Sequence, residues 1–230
     1  MSELYLIRHA QASFDAEDYD QLSALGQQQS LLLGEYFARQ KIQFDWVACG
    51  TMRRHRQTLE GICKYQNSSL NAPDELPGIN EYDFRTLTED YVARFPNDPL
   101  WLVVKGQPSD KKGYYRLLRN VLAAWQAEQF ETRGEQYSDF QQRVAGVSEW
   151  LIEKSAQNRR IALVGSGGSL ALLVGAVLGL ADDKVIELNL QTKNTAIHHC
   201  FANCNGIKLA SWNNAPHLET SEHRHLLTYG

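Results

Sequence analysis

Three short apolar runs, "LYLI" at 4–7, "DWVACG" at 45–50 and "IALVG" at 161–165, each end in polar or glycine residues, and each leads into a stretch of helical spacing. Uninterrupted apolar runs of that length suit strands buried on both faces, and strands that alternate with helices build α/β proteins. The helical stretch after Ser23 carries Leu25, Leu32 and Tyr36, and the one from about Ser138 carries Phe140, Val144, Val147 and Leu151, so both are expected to face the core. Near the C-terminus, "NG" at Asn205 and Gly206 signals a hairpin between antiparallel strands at 196–204 and 207–213.

The pattern changes between residues 84 and 134. "RFPNDPLW" and "KGQPSDKKG" precede an aromatic-rich helical stretch with Tyr115, Leu118, Leu122 and Trp125, and no strand pattern is present. Residues 84–134 are expected to form a helical insertion, either a side layer or a lid that shapes substrate access, within one domain spanning 1–230.

The formal net charge of −4 argues against a general nucleic-acid footprint, so any anion site must be local. The most apolar run, "SLALLVGAVLGLA", is too short to span a bilayer, and "MSELYLIRHA" lacks the regions of a secretory signal. A cytoplasmic location without membrane partners is the expectation. Cys49, Cys63, Cys200 and Cys204 are then expected as thiols. In "HHCFANC", His198, Cys200 and Cys204 would share a strand face, but positions 200 and 204 lie about 13 Å apart, too far for one zinc. No metal site is expected.

Four stretches carry chemistry. Arg8 and His9 follow a buried strand, where ligands bind in open α/β sheets. In "CGTMRRHRQTLE", Thr51 reads as a helix N-cap, placing Arg53, Arg54, His55 and Arg56 at a helix start that is already positive, so an anion should sit nearby. Arg53 and Arg56 suit a solvated face. In "GINEYDFRTL", Glu81 and Asp83 point the same way if extended, and spacing alone does not separate them. In "IALVGSGGSL", Gly165, Gly167 and Gly168 allow a tight turn into a helix whose N–H groups face the same crevice. No Gly-Lys-Ser/Thr follows, so it is not a Walker loop. It is one glycine short of a nucleophile elbow. With Asp182 or Asp183 and His198, His199 or His217 it has the order of a Ser166 hydrolase, an alternative that leaves Arg8, His9 and the arginine-rich helix unexplained.

Together these residues resemble the histidine phosphatase superfamily, the phosphoglycerate-mutase-like fold. Arg8, His9 and Ala10 are similar to its Arg-His-Gly signature with alanine for glycine, Arg54 with Gln57 and Thr58 to its second arginine, and Glu81 in "INE" to its acid. "GEQYSDFQQRV" at 134–144 is similar to a further segment, and Gly167 with Gly168 to the glycines after a second histidine. The resemblance implies a three-layer αβα sandwich with a mostly parallel central sheet. It also implies catalysis in which neutral His9 attacks phosphorus, Arg8 and Arg54 clamp the phosphoryl oxygens and Glu81 protonates the leaving oxygen. Ser13, Ser166 and Gly167 would join the phosphate site, with no metal or cofactor. The ligand would be a small phosphorylated molecule or inorganic phosphate.

Ser166 stands where the resemblance puts the second histidine. A hydroxyl donates a hydrogen bond without a charge, and His55 is the candidate to compensate. Ser166→His is expected to raise turnover. The leading reading is a phosphomonoester hydrolase with a phosphohistidine intermediate and reduced activity. The alternative is a pseudo-phosphatase that binds phosphorylated ligands without turnover. A mutase is less expected, because Asp15 would repel a second phosphate.

Overall fold

The computed structural model describes residues 1–13, 20–66, 70, 72–107 and 110–229, apart from the side chain of Lys111. Its strands are β1 (Ser2–Arg8), β2 (Trp46–Cys49), β3 (Asp74–Glu75), β4 (Arg160–Gly165), β5 (Ile197–Asn203) and β6 (Gly206–Asn214). Its helices are α1 (Ala24–Arg39), α2 (Arg53–Cys63), α3 (Phe84–Arg94), α4 (Pro99–Gly106), α5 (Lys111–Gln126), α6 (Tyr137–Ser155), α7 (Gly167–Leu178) and α8 (Asp182–Leu190). The six strands lie in the order β3-β2-β4-β1-β5-β6. The first four in that row are parallel, whereas β5 runs antiparallel to β1 and β6 to β5.

Strand periodicity divides the core between the two faces of this sheet. Tyr5, Ile7, Val47, Cys49, Ala162 and Val164 turn to one face, where α1 and α2 bring Leu33, Phe37, Leu59 and Ile62. Leu4, Leu6, Ala48, Ile161 and Leu163 turn to the other, where α6 and α7 bring Phe140, Val144, Leu151 and Leu170. The result is the three-layer αβα sandwich with a mostly parallel sheet and a C-terminal antiparallel hairpin that the sequence implied.

Residues 84–134 hold α3, α4 and α5 and, among the described residues, no strand. Leu87, Tyr91, Leu117, Val121 and Trp125 extend the core on the α6–α7 side. Tyr115, grouped in the sequence with that apolar face, is instead 43% exposed. No described helix is long and apolar enough to cross a membrane.

The local signals held at one helix start and failed at another. The Ser23 hydroxyl accepts from Gly26 N–H at 3.0 Å and caps α1. Thr51 does not cap α2; that position falls to Met52, which has no side-chain oxygen. Asn80 competes successfully for the threonine. Its Oδ1 accepts from Thr51 N–H at 2.9 Å, and its Nδ2 donates to Thr51 Oγ1 at 2.7 Å. The approach to α2 is thereby tied to the loop that carries Glu81.

One feature of the topology places the site. Adjacent strands β1 and β4 send the chain to opposite faces, into α1 and α7, and their C-terminal ends form the switch point at which open α/β sheets bind ligands.

Candidate active site

Arg8 pairs in register with Gly165, and His9 N–H donates to Gly165 O at 2.9 Å, so the last residues of β1 and β4 stand side by side. His9 O accepts from Asn194 Nδ2 at 3.2 Å, which pins the backbone of the turn. The His9 ring has one defined tautomer. Nδ1 lies 2.7 Å from Ala10 O, and a carbonyl can only accept, so the proton sits on Nδ1. Nε2 carries the lone pair and accepts from Arg54 Nε at 3.2 Å. Burial, then the charge of Arg54 and the proximity of His55 and Arg8, hold the imidazole pKa well below its ordinary 6.5. His9 is therefore neutral, with the Nε2 lone pair held by the Arg54 guanidinium.

Arg54 comes from the first turn of α2 and is buried. Thr58, one turn on, donates its hydroxyl to Arg54 O at 2.7 Å and accepts from Ala10 N–H at 3.0 Å, locking α2 to the end of β1. Gln57 accepts from Leu22 N–H at 2.8 Å. The sequence demanded an anion at this positive helix start, and Asp20 is one. Its carboxylate accepts from Arg53 N–H and from Arg54 Nη1, each at 2.8 Å. Arg8 donates from Nη1 to Thr192 O, and its guanidinium lies along Gly167, where a Cβ would stand 3.2 Å from Nε. Arg56 pairs on the surface with Glu75, as its solvated reading expected.

The structure separates the two acids that spacing left equivalent. Asp83 turns away to cap α3, accepting from Thr86 N–H at 3.1 Å. Glu81 turns inward to the start of α7, where Oε2 accepts from Gly168 N–H at 3.1 Å. Oε1 is shut off from solvent and has no hydrogen-bond partner among the described residues. Burial raises the Glu81 pKa above the ordinary carboxylate value, opposed by Gly168 N–H and by Arg54, Arg8 and Arg143. Desolvation favours the neutral acid, which can donate a proton. Gly168 permits this approach, since a Cβ there would lie 2.4 Å from Glu81 Oε1 and 2.4 Å from Tyr82 Cε1.

Arg143, within the 134–144 segment, supports the acid from behind. Its Nη1 donates to Gly78 O at 2.9 Å and Asn80 O at 2.8 Å, while Nε and Nη2 grip Glu135 at 2.7 and 2.6 Å.

Ser166 is fully buried at the N-cap of α7, and its Oγ lies 2.7 Å from His55 Nε2. The two imidazoles of His9 and His55 lie 5.5 Å apart between ring centroids. The serine–acid–histidine series read from chain order is not assembled. Asp182 accepts from the Tyr137 hydroxyl, His198 stacks on Trp212, and His217 bonds to Thr195. Ser13 is held by its N–H to Gln21 O at 2.8 Å, and Asp15 lies outside the described residues. Among the described residues no group of three or more His, Cys, Asp or Glu side chains is placed to hold a metal ion. The structure thus brings Arg8, His9, Arg54, His55, Glu81, Ser166 and Gly167 together at the C-terminal ends of β1 and β4. Sequence reasoning missed Asp20 and the supporting role of Arg143; the surplus of positive charge at the start of α2 was the one signal for the former.

Residues 4–215 match the model of the histidine phosphatase superfamily (branch 1). The mitochondrial serine/threonine-protein phosphatase Pgam5 of Caenorhabditis briggsae is 30% identical over 127 residues, which are 50% of this chain and 44% of that protein. The chain thus spans less than half the length of that curated relative. Among solved structures, phosphoserine phosphatase of Entamoeba histolytica in complex with phosphoserine is similar at a TM-score of 0.66 and 16% identity, covering 95% of this chain and 100% of that one. Alpha-ribazole phosphatase of Shigella flexneri is similar at 0.64 and 19%, covering 93% and 96%. Phosphoglycerate mutase of Bacillus anthracis is similar at 0.66 and 14%, covering 94% of each chain. At these identities the structural likenesses speak for the fold alone, whereas the family match spans nearly the whole sequence: the chain belongs to the histidine phosphatase superfamily, branch 1.

Proposed function

We propose that the protein is a phosphomonoester hydrolase that works through a phosphohistidine on His9. The observation that carries this reading is the His9 tautomer: Nδ1–H is committed to Ala10 O, leaving a neutral Nε2 beside Arg54. That nitrogen attacks phosphorus as the P–O bond to the leaving group breaks, Glu81 protonates the departing oxygen, and water then takes the phosphoryl group from His9. Arg8 and Arg54 face the oxygens where charge develops, which removes the need for a metal ion. Ser166 and Gly167 complete the phosphate cradle, with Ser13 at its edge, and residues 84–134 shape access as a lid. The ligand is a small phosphorylated molecule.

Ser166 favours a second reading. Without a second cationic imidazole the field on the phosphoryl group is weaker, as in a binding module that recognises phosphate without turnover. One assay separates the two: the purified chain and its His9→Ala variant on a panel of small phosphate esters. The hydrolase reading expects phosphate release that the substitution abolishes. Release that persists in His9→Ala overturns the mechanism, and phosphate binding without any release supports the binding module.

A further inference from the structure

We propose that His55 and Ser166 act as one unit, in which the His55 imidazole, supplied from α2, holds the Ser166 hydroxyl as a hydrogen-bond donor to the phosphoryl group. The proposal deepens the reading of His9 as phosphoryl acceptor and rests on it.

Two polarities of the 2.7 Å contact are possible, and they differ in what they strand. If Ser166 donates to Nε2, the ring proton sits on Nδ1, which is shut off from solvent and has no partner among the described residues. Buried N–H groups without a partner are rarer than under-used acceptors. If Nε2–H donates to Ser166 Oγ, Nδ1 is only a bare lone pair and the hydroxyl proton is free for another acceptor. No other partner of that oxygen occurs among the described residues. The second polarity leaves the serine proton for a phosphoryl oxygen held beside His9, whose ring centroid lies 5.5 Å from that of His55, and a hydroxyl that already accepts a hydrogen bond donates a stronger one. Burial, then Arg54 and Arg56, keep the His55 pKa well below 6.5. His55 therefore acts as a neutral donor and not as a replacement charge. It is a positioning residue, and Ser166 is the group that meets the ligand.

The ring's place is enforced from behind. A Cβ at Gly50 would lie 2.2 Å from His55 Nδ1, 2.5 Å from Asn80 Oδ1 and 2.8 Å from His55 Cε1, so the bare glycine after β2 leaves the space that the His55 ring and the Asn80 amide occupy. On this proposal the same packing works against Ser166→His by itself. An imidazole that follows the serine's side-chain direction enters the ring of His55. His55→Ala combined with Ser166→His opens the space, so the two positions are coupled in sign.

The test is a set of variants of the full chain, assayed for kcat and KM on p-nitrophenyl phosphate, for vanadate inhibition and for thermal unfolding. His55→Ala and Ser166→Ala are each expected to lower kcat by about 3- to 10-fold with a smaller change in KM. Their combination should be no worse than the poorer single variant. His55→Gln, whose amide places an N–H near the Nε2 position, should recover most of the His55→Ala loss. Ser166→His alone should lose activity, and adding His55→Ala to it should restore at least about threefold. Additive losses, or a His55→Ala effect confined to unfolding temperature with kcat intact, overturn the unit. If the unaltered chain turns over no ester, the His9 reading fails on its own account. The pair is then judged on vanadate affinity: the same pattern supports it, and equal affinity in every variant overturns it.

Discussion

Gly168→Ala isolates the proton-donating step from the rest of the site. The new methyl carbon would stand 2.4 Å from Glu81 Oε1 and 2.4 Å from Tyr82 Cε1, where ordinary contact begins at 3.4 Å, so each contact must open by about 1 Å. Tyr82 is the less able to move. Its ring packs against Trp125 and Phe140 at centroid distances of 5.1 and 5.6 Å, and its hydroxyl accepts from Asn189 Nδ2 at 2.9 Å. The start of α7 therefore backs away from Tyr82 while Glu81 gives way, and the 3.1 Å bond from Gly168 N–H to Glu81 is lost. Overpacking of this kind costs about 1–3 kcal/mol of stability, a drop of a few degrees in Tm for a chain of this size. Loss of a positioned acid costs about 100- to 10,000-fold on a step that needs one. The assay is kcat/KM on two esters. An alkyl phosphate must have its leaving oxygen protonated, whereas nitrophenolate leaves unaided. We expect Gly168→Ala to lower kcat/KM by about 100-fold or more on the alkyl ester and by about tenfold or less on the nitrophenyl ester. Equal losses on both, or none on either, would refute the assignment of Glu81 as the acid.

Three further outcomes follow from the same geometry. Activity should survive a chelator while vanadate competes with substrate, because arginines supply the counter-charge; activity removed by chelation and restored by a divalent ion contradicts this. On alkyl phosphates kcat/KM should fall as pH drops through the lowered His9 pKa and as pH rises through the raised Glu81 pKa, giving a bell-shaped profile, and a profile with neither limb contradicts both roles. Burial pushes His198 and His217 down to about 3, so the folded chain refuses protons that the unfolded chain binds below about pH 6.5. Stability should therefore be full above that pH and fall below it, by up to about 3 kcal/mol for each ring near pH 4.5, and urea unfolding that is flat across that range contradicts the neutral burial of these rings.

What the sequence made legible was whatever depends on local pattern. The apolar runs at 4–7, 45–50 and 161–165 became β1, β2 and β4, and Ser23 and Asn205–Gly206 marked a cap and a hairpin, because these signals need only neighbours in the chain. Thr51 misled because the competing partner, Asn80, is 29 residues away. The choice between Glu81 and Asp83 was hidden for the same reason: it is made by Gly168, which β4 and α7 bring across from the far end of the chain. His55 could be suspected from its place beside Arg54, but its direction depends on the rotation of α2, which Thr58 and Ala10 set through contacts with β1.

The most direct test of the central claim is the chemistry of the trapped phosphoenzyme. A substrate quenched during turnover should leave one phosphoryl group on the peptide that contains His9, with a linkage that acid cleaves and alkali spares, and His9→Ala should leave none. An acid-stable, alkali-labile phosphoryl group on the peptide that contains Ser166 would contradict the account, because it would make the serine the nucleophile and His55 its base.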